Sequence, residues 1–193
     1  MKDWTGNRKS TFAQIASNSD AIREQHDFYA TEPKAIDGLL SKETFTPIVW
    51  ECACGNGTLV ERLRELGYDV IATDLIERGV GQGGIDFLKQ TGKTEHNIIT
   101  NPPFKYAEQF IEKAMEIMRE KGKLALFLKI TFLEGQKRKG LFAKYPPKRI
   151  HVFSERIKCA INGDFEQVKS SAVCYAWFVW EKGYQGQTTI DWI

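Results

Sequence analysis

Short apolar runs alternate along the chain with segments whose apolar residues recur at helical spacing, and this alternation constrains the fold most. Strand-like runs occupy 48–50, 70–72, 97–100, 124–128, 150–153, 172–180 and 188–193. Helical stripes lie between several of them, at 58–65 and 107–120, and a short one precedes them at 36–40. Strands that alternate with helices pair in parallel and carry helices on both faces. The sequence therefore predicts an α/β fold, a three-layer sandwich around a mainly parallel seven-stranded sheet.

The two ends of the chain depart from this alternation. No helix separates the last two strand-like runs, which are joined by a turn at 183–186. Strands joined in this way favour antiparallel pairing, so we predict a C-terminal antiparallel hairpin at the sheet edge. Residues 1–30 are polar and weakly periodic. They are predicted to form an arm or cap before a single domain over 31–193.

The composition is that of an ordinary globular protein. The chain has 193 residues and a net charge of +2, enough length for one full core and too little charge to indicate a partner. The four cysteines, Cys52, Cys54, Cys159 and Cys174, lack the spacing of a zinc site, so we expect reduced thiols and no metal. Neither a membrane-spanning run of about 20 apolar residues nor a signal-peptide core is evident. We expect a cytoplasmic location without membrane contact; the oligomeric state stays open.

A Gly-rich turn follows the first predicted strand, with the sequence Glu51-Cys52-Ala53-Cys54-Gly55-Asn56-Gly57. Glycines allow positive φ and close approach of the backbone to a ligand. Asp74 ends the next strand, at about the spacing from which a carboxylate reaches a ribose diol. The turn lacks the Gly-x-Gly-x-x-Gly and Gly-Lys-Ser/Thr patterns that hold phosphates. It favours a ligand with a ribose and an amino-acid tail; a plain loop between strand and helix is the alternative.

Asn101-Pro102-Pro103-Phe104 follow the apolar strand 97–100. An amide, two prolines and an aromatic ring suit a planar group that carries an NH2, whereas a Pro-rich turn is the alternative. An exocyclic amine on an aromatic base is a poor nucleophile because its lone pair is delocalised into the ring. The side-chain oxygen of Asn101 and the main-chain carbonyl of Pro102 can each accept an N–H bond from it, in positions fixed by the prolines. Phe104 can stack on the base.

These motifs, with Asp27-Phe28-Tyr29-Ala30-Thr31-Glu32-Pro33 upstream and Asp86-Phe87 between them, resemble the Rossmann-like class I methyltransferases that use S-adenosylmethionine. The chain is most similar to the N6-adenine type, and to small phage- or prophage-type DNA adenine methyltransferases. Glu32 stands where that family's upstream box has a proline. The resemblance implies S-adenosylmethionine as cofactor and Asn101, Pro102, Pro103 and Phe104 as catalytic residues. It implies that Phe28, Tyr29 and Thr31 contact the methionine of the cofactor, and that Glu51, Cys54, Gly55 and Gly57 surround the methionine and ribose. It further implies that Asp74 binds the ribose hydroxyls and that Asp86 and Phe87 contact the adenine.

The resemblance further implies methyl transfer to the N6 amine of adenine in DNA by direct in-line displacement. Three alternatives stay open: an RNA adenine N6-methyltransferase, a protein glutamine N5-methyltransferase, whose motif usually ends in Tyr, and a non-catalytic nucleic-acid-binding module. A base within a duplex would have to be flipped out. Six basic residues and no acid lie between Gly135 and Arg149. Nucleic-acid contacts are predicted at Lys105, Lys137, Arg138 and Lys139, with a solvated surface as the alternative.

Overall fold

The computed structural model describes residues 30–160, 165 and 173–193. The described residues form nine strands: β1 (Ala30–Thr31), β2 (Ile48–Glu51), β3 (Asp69–Ala72), β4 (Asn97–Thr100), β5 (Lys123–Lys129), β6 (Arg149–Val152), β7 (Cys159–Ala160), β8 (Tyr175–Glu181) and β9 (Thr189–Trp192). They also form four helices: α1 (Lys34–Leu40), α2 (Thr58–Glu65), α3 (Ala107–Ile117) and α4 (Arg138–Lys144). Short 3-10 turns cover Phe87–Lys89, Phe104–Tyr106 and Ile130–Leu133. The predicted arm at 1–30 lies outside the described residues, except for Ala30.

Seven strands form one sheet in the order β3-β2-β4-β5-β8-β6-β9. β3, β2, β4 and β5 are parallel neighbours. β8 is antiparallel to both β5 and β6, while β6 is parallel to β9. Only β8 therefore opposes the common direction within this sheet, and the predicted mainly parallel seven-stranded sheet is confirmed. Short β1 and β7 pair separately as an antiparallel ribbon.

The last two strands run in opposite directions, as predicted, but they do not pair with each other as a hairpin. β8 inserts between β5 and β6, and β9 instead lies parallel to β6, with Ile190 opposite Ile150. The cause is burial. Every residue of β8 from Tyr175 to Trp180 is buried, so this strand needs a neighbour on each side and a covered surface on each face. All four residues of β9 are exposed, which suits an edge strand.

Two helical layers cover the sheet, because successive residues of its inner strands point to opposite faces. Ile98, Leu126 and Phe178 pack on one face with α3 and with Leu141 of α4. Ile99, Phe127 and Trp177 pack on the other with α1 and α2. The three-layer prediction is confirmed. The helix predicted over 107–120 ends at Ile117, where Met118 turns to an extended backbone.

A buried carboxylate ties the segment after α1 to the amino-terminal end of the sheet. The Glu43 side chain is 1% exposed and accepts hydrogen bonds from Arg149, from Lys123 at 2.8 Å and from His151 at 3.1 Å. Burial alone would raise the pKa of Glu43. The bonds from His151, Arg149 and Lys123 outweigh that effect and leave the pKa well below its usual range.

Candidate functional site

A cavity of about 340 Å³ opens where β2, β3 and β4 end. β2 lies between β3 and β4, so strand order reverses there, and open parallel sheets bind ligands outside such a reversal. The structure brings most of the predicted site residues together in its lining: Thr31, Glu51, Cys54, Asp74, Asp86, Phe87, Asn101, Pro102, Pro103, Phe104 and Lys105. Gly55 and Gly57 belong to the adjoining turn. Phe28 and Tyr29 lie outside the described residues.

The turn after β2 needs its glycines. Gly55 and Gly57 have φ of 54° and 87°, in the left-handed region that residues with a side chain rarely adopt. A Cβ atom at Gly57 would lie 2.5 Å from Cγ1 of Val80. The Cys54 thiol donates to the Val80 carbonyl at 3.1 Å, and burial raises the pKa of this thiol to about 12. The connection after β3 thus packs directly on the turn.

Asp74 joins the turns that follow β2 and β3. Its Oδ2 accepts from the Gly55 N–H at 2.8 Å, while Oδ1 accepts from the Ile76 N–H at 2.8 Å and from Arg78 Nη1 at 2.9 Å. A carboxylate oxygen can accept two hydrogen bonds, so a ligand hydroxyl can join Gly55 on Oδ2. Arg78, which also lines the cavity, was not predicted as a site residue. In the sequence, Arg78 could have been recognised from its position four residues after Asp74.

Glu51 is a carboxyl group held in the cavity wall. It is 1% exposed, and its Oε1 accepts from the Ala53 N–H at 3.1 Å. Burial raises the pKa of Glu51 to about 8, and repulsion from the Asp74 carboxylate adds to the shift. The group is therefore mainly neutral at pH 7, and a cationic ligand beside it would favour the ionised form.

Asp86 and Phe87 form the next part of the lining. Oδ1 of Asp86 accepts from the Leu88 N–H at 3.0 Å and so caps the first 3-10 turn. The Phe87 ring lies 5.3 Å from the Trp50 ring and 4.8 Å from the Phe110 ring, between centroids. Phe87 is 3% exposed. It is thus both a core residue and a wall of the cavity.

The Asn101 loop forms another wall. Nδ2 of Asn101 donates to the Thr31 hydroxyl oxygen at 2.8 Å. Pro102 is buried, and Phe104 begins the next 3-10 turn with its ring 6.2 Å from the Tyr175 ring, at 28° to it. The Lys129 ammonium, at the end of β5, lies 4.9 Å from the Phe104 centroid. Lys129 and Tyr175 were not predicted, because they are distant in sequence and meet the loop only through the order of strands.

The predicted nucleic-acid contacts differ in their surroundings. Lys105, Lys137 and Lys139 are exposed. Arg138 instead donates to the Glu134 carbonyl at 2.8 Å and lies 4.8 Å from the centre of the Phe132 ring. Its guanidinium therefore holds the segment before α4 in place. The Lys105 ammonium lies 4.8 Å from the centre of the Tyr106 ring, at the cavity.

The cavity residues fit S-adenosylmethionine. The volume lies within the range of small-molecule sites, roughly 300–1,000 Å³. Asp74 and Asp86 offer acceptors for hydroxyl and amino groups, and Glu51 offers a carboxyl group for a cationic centre. In the described part of the chain, no group of three or more His, Cys, Asp or Glu could hold a metal ion. No helix within 30–160 or 173–193 is long and apolar enough to cross a membrane.

Solved structures share this arrangement of strands and helices. A protein assigned to the class I S-adenosylmethionine-dependent methyltransferases, from Listeria monocytogenes, superposes with a TM-score of 0.56 and 14% identity over 83% of this chain. The fold is that of the class I methyltransferases. A modification subunit assigned to a type I restriction enzyme, from Vibrio vulnificus, has the same fold at a TM-score of 0.54 and 14% identity, over 91% of this chain and 48% of its own. A protein assigned as a hemolysin, from Lactococcus lactis, gives 0.58 and 10% identity over 82% of this chain and 91% of its own.

The methyltransferase fold is all that these likenesses establish, given their low identity. The chain spans 62% of the length of the Listeria protein, less than two thirds. No protein-family model matches the sequence. No curated protein matches it either.

Proposed function

We propose that the protein transfers a methyl group from S-adenosylmethionine to the exocyclic N6 amine of adenine in DNA. One observation carries the proposal. A single cavity is lined both by the acids Glu51, Asp74 and Asp86 and by the loop Asn101-Pro102-Pro103-Phe104. The three acids suit the methyl donor, S-adenosylmethionine. The loop suits the acceptor, an amine on an aromatic base. The shared methyltransferase fold supports the donor assignment.

The methyl donor is held by groups that follow β3, Asp74 just after the strand and Asp86 at the cap of the first 3-10 turn. Asp74 accepts the ribose hydroxyls, for which the bond from Gly55 orients its carboxylate. Asp86, fixed by its bond from Leu88, accepts the adenine amino group. When bound, S-adenosylmethionine supplies an electrophilic methyl group on a positively charged sulfur, which keeps the bonding electron pair as the methyl leaves.

The acceptor is held by the Asn101 loop. Oδ1 of Asn101 and the Pro102 carbonyl accept the two N–H bonds of the amine, which favours a pyramidal nitrogen whose lone pair is available. That lone pair forms the new N–C bond, and the nitrogen then gives one proton to solvent. Because the prolines fix both acceptors, little reorganisation accompanies the reaction. Phe104 stacks on the base once the flexible Lys129 side chain leaves its ring.

The substrate polymer is proposed to be DNA. An adenine within a duplex has to leave the stack to reach a cavity of this kind. Lys105, next to the catalytic loop, and the exposed Lys137 and Lys139 supply charge for the phosphates. The restriction-enzyme modification subunit with the same fold is a further support.

The test offers isotopically labelled S-adenosylmethionine with duplex DNA, single-stranded DNA, total RNA or protein extract. Mass spectrometry of the digests identifies the product, and Asn101→Ala run in parallel controls for contaminating methyltransferases. We expect N6-methyladenine in DNA. Label on RNA adenine alone would refute the DNA assignment, and label on cytosine N4 or glutamine alone would refute adenine. Failure of the protein to bind S-adenosylmethionine would refute the whole proposal.

A further inference from the structure

We infer that Thr31 is a positioning residue for the acceptor amine, whose hydroxyl fixes the orientation of the Asn101 amide. The inference rests on the proposed function, since it concerns how that site is aligned. It departs from the family resemblance, which places Thr31 at the methionine end of the cofactor.

The contact itself has a normal length and is partly buried. Nδ2 of Asn101 lies 2.8 Å from Oγ1 of Thr31, a normal length for such a bond. Thr31 is 2% exposed, so little water competes for its hydroxyl. The two residues are 70 positions apart in sequence, and the fold alone brings them together.

Thr31 is held in place by the ribbon of β1 and β7. Its backbone pairs with Cys159, and Ala30 pairs with Ala160. On the next residue, the Glu32 N–H donates to the Lys158 carbonyl at 3.1 Å. The Lys158 N–H in turn donates to the Glu32 carboxylate at 3.1 Å. The protein's own backbone therefore sets the position of the Thr31 hydroxyl.

The NH2 end of the Asn101 amide is the end that faces Thr31. A hydroxyl has one proton to donate, and its oxygen can accept at the same time. Burial raises the pKa of the adjoining Cys159 thiol to about 11, while side-chain hydrogen bonds with Tyr175 and Thr31 act in the opposite direction. In the structure the Thr31 oxygen accepts from Nδ2 of Asn101, which leaves its own proton free for the adjoining Cys159 sulfur. Nδ2 then faces Thr31, and Oδ1 occupies the other side of the amide.

This orientation matters for the reaction. Oδ1 has to accept an N–H bond from the adenine amine, and an amide turned by 180° would present NH2 to that amine instead. The two donors would then oppose each other, and the amine would lose one of the two acceptors that make it pyramidal. Thr31 thus acts on the substrate through Asn101 without touching the reacting atoms.

The test compares Thr31→Val, which keeps the shape and removes the hydroxyl, with Thr31→Ser, which keeps the hydroxyl. Thr44→Val, at an exposed threonine distant from the cavity, is the matched control. Each variant is measured for S-adenosylmethionine affinity by calorimetry and for kcat at saturating donor and DNA. The side-chain NH2 resonances of Asn101 are followed by ¹H–¹⁵N NMR, assigned by their loss in Asn101→Asp.

We expect Thr31→Val to lower kcat about 10- to 100-fold, as small misplacements of positioning groups do, with donor affinity changed less than about threefold. Thr31→Ser should restore most of the turnover, and only Thr31→Val should shift the Asn101 NH2 resonances. A donor affinity weakened tenfold at unchanged kcat would instead make Thr31 a cofactor residue and overturn the inference. Unmoved Asn101 resonances in Thr31→Val would overturn it as well. A wild-type protein without methyl transfer would refute the proposed function, whereas the resonances report on the Thr31 contact independently of activity.

Discussion

Replacing Glu51 with Gln should make the protein more stable at alkaline pH and leave it unchanged in acid. Glu51 is fully enclosed, and its pKa of about 8 compares with an ordinary value of 4.5. Gln keeps an oxygen to accept from the Ala53 N–H, as Oε1 of Glu51 does, but carries no charge. The substitution therefore separates the cost of ionising a buried carboxyl from the loss of its hydrogen bond.

Proton linkage gives the direction in which the free energy of unfolding of the wild type changes with pH. Below about pH 4.5 the carboxyl is protonated in both the folded and the unfolded chain, so it contributes no pH dependence. Between about pH 4.5 and 8 the unfolded chain loses this proton while the folded protein keeps it, so the stability of the wild type falls. Each unit of pKa is worth about 1.36 kcal/mol, so the loss amounts to roughly 3–5 kcal/mol above pH 8.

Urea unfolding of the two proteins from about pH 5 to pH 9 measures this difference. Other titrating groups are common to both, so they cancel when the free energies of unfolding are subtracted. The free energy of unfolding of the variant should rise steadily relative to that of the wild type as the pH rises. The difference should level off above pH 8. Glu95→Gln is the control, since that side chain is 74% exposed. If the two proteins differed in free energy of unfolding by the same amount at about pH 5 and at about pH 9, the assignment of a raised pKa to Glu51 would be refuted.

Three further predictions concern positions outside the reacting loop. Glu43→Gln should cost about 3–5 kcal/mol at pH 7 in urea unfolding, because it removes the buried carboxylate that Arg149, Lys123 and His151 share. The difference should shrink in acid, since a lowered pKa stabilises the fold only while the group is ionised. Gly57→Ala should lower S-adenosylmethionine affinity by calorimetry at least tenfold, as its Cβ would meet Val80. Lys137→Glu/Lys139→Glu should flatten the salt dependence of DNA binding by up to about 2 units of log–log slope.

Each of these has a result that would contradict it. A Glu43→Gln deficit that persists unchanged in acid would show that ionisation of Glu43 contributes nothing to stability. If Gly57→Ala bound S-adenosylmethionine as tightly as the wild type, the turn would not contact the donor. Gly67→Ala is the matched backbone control, because Gly67 also has a positive φ but has open space around it. An unchanged salt slope, with Lys121→Glu as the reference for an exposed lysine before β5, would remove the two lysines from the DNA-binding surface.

The sequence predicted the layers and the position of the cavity because both depend on local patterns. The continuous apolar runs in 97–100 and 124–128 indicate strands buried on both faces, and their residues do divide between the two cores. The spacing of Asp74 from the Gly-rich turn predicted a carboxylate at the ligand site, and in the structure Oδ2 of Asp74 accepts from the Gly55 N–H at 2.8 Å. Patterns of this kind are fixed by residues near one another in the chain.

The partner of each strand and the second layer of contacts around the site could not be predicted in the same way. The turn between β8 and β9 permits a hairpin, but the burial of β8 demands two neighbours, and β5 and β6 take those places. The contacts of Thr31 with Asn101 and of Lys129 with Phe104 likewise arise from the packing of distant segments. No local spacing encodes them.

The most direct test of adenine methylation through Asn101 compares the wild type with Asn101→Ala in a single experiment. Both proteins receive saturating labelled S-adenosylmethionine and adenine-containing DNA, donor affinity is measured by calorimetry, and the methylated nucleoside is quantified by mass spectrometry. We expect N6-methyladenine from the wild type and a loss of at least about 100-fold in the variant, with donor affinity largely retained. Equal N6-methyladenine from the two proteins would contradict the assignment of Asn101 as the acceptor of the amine.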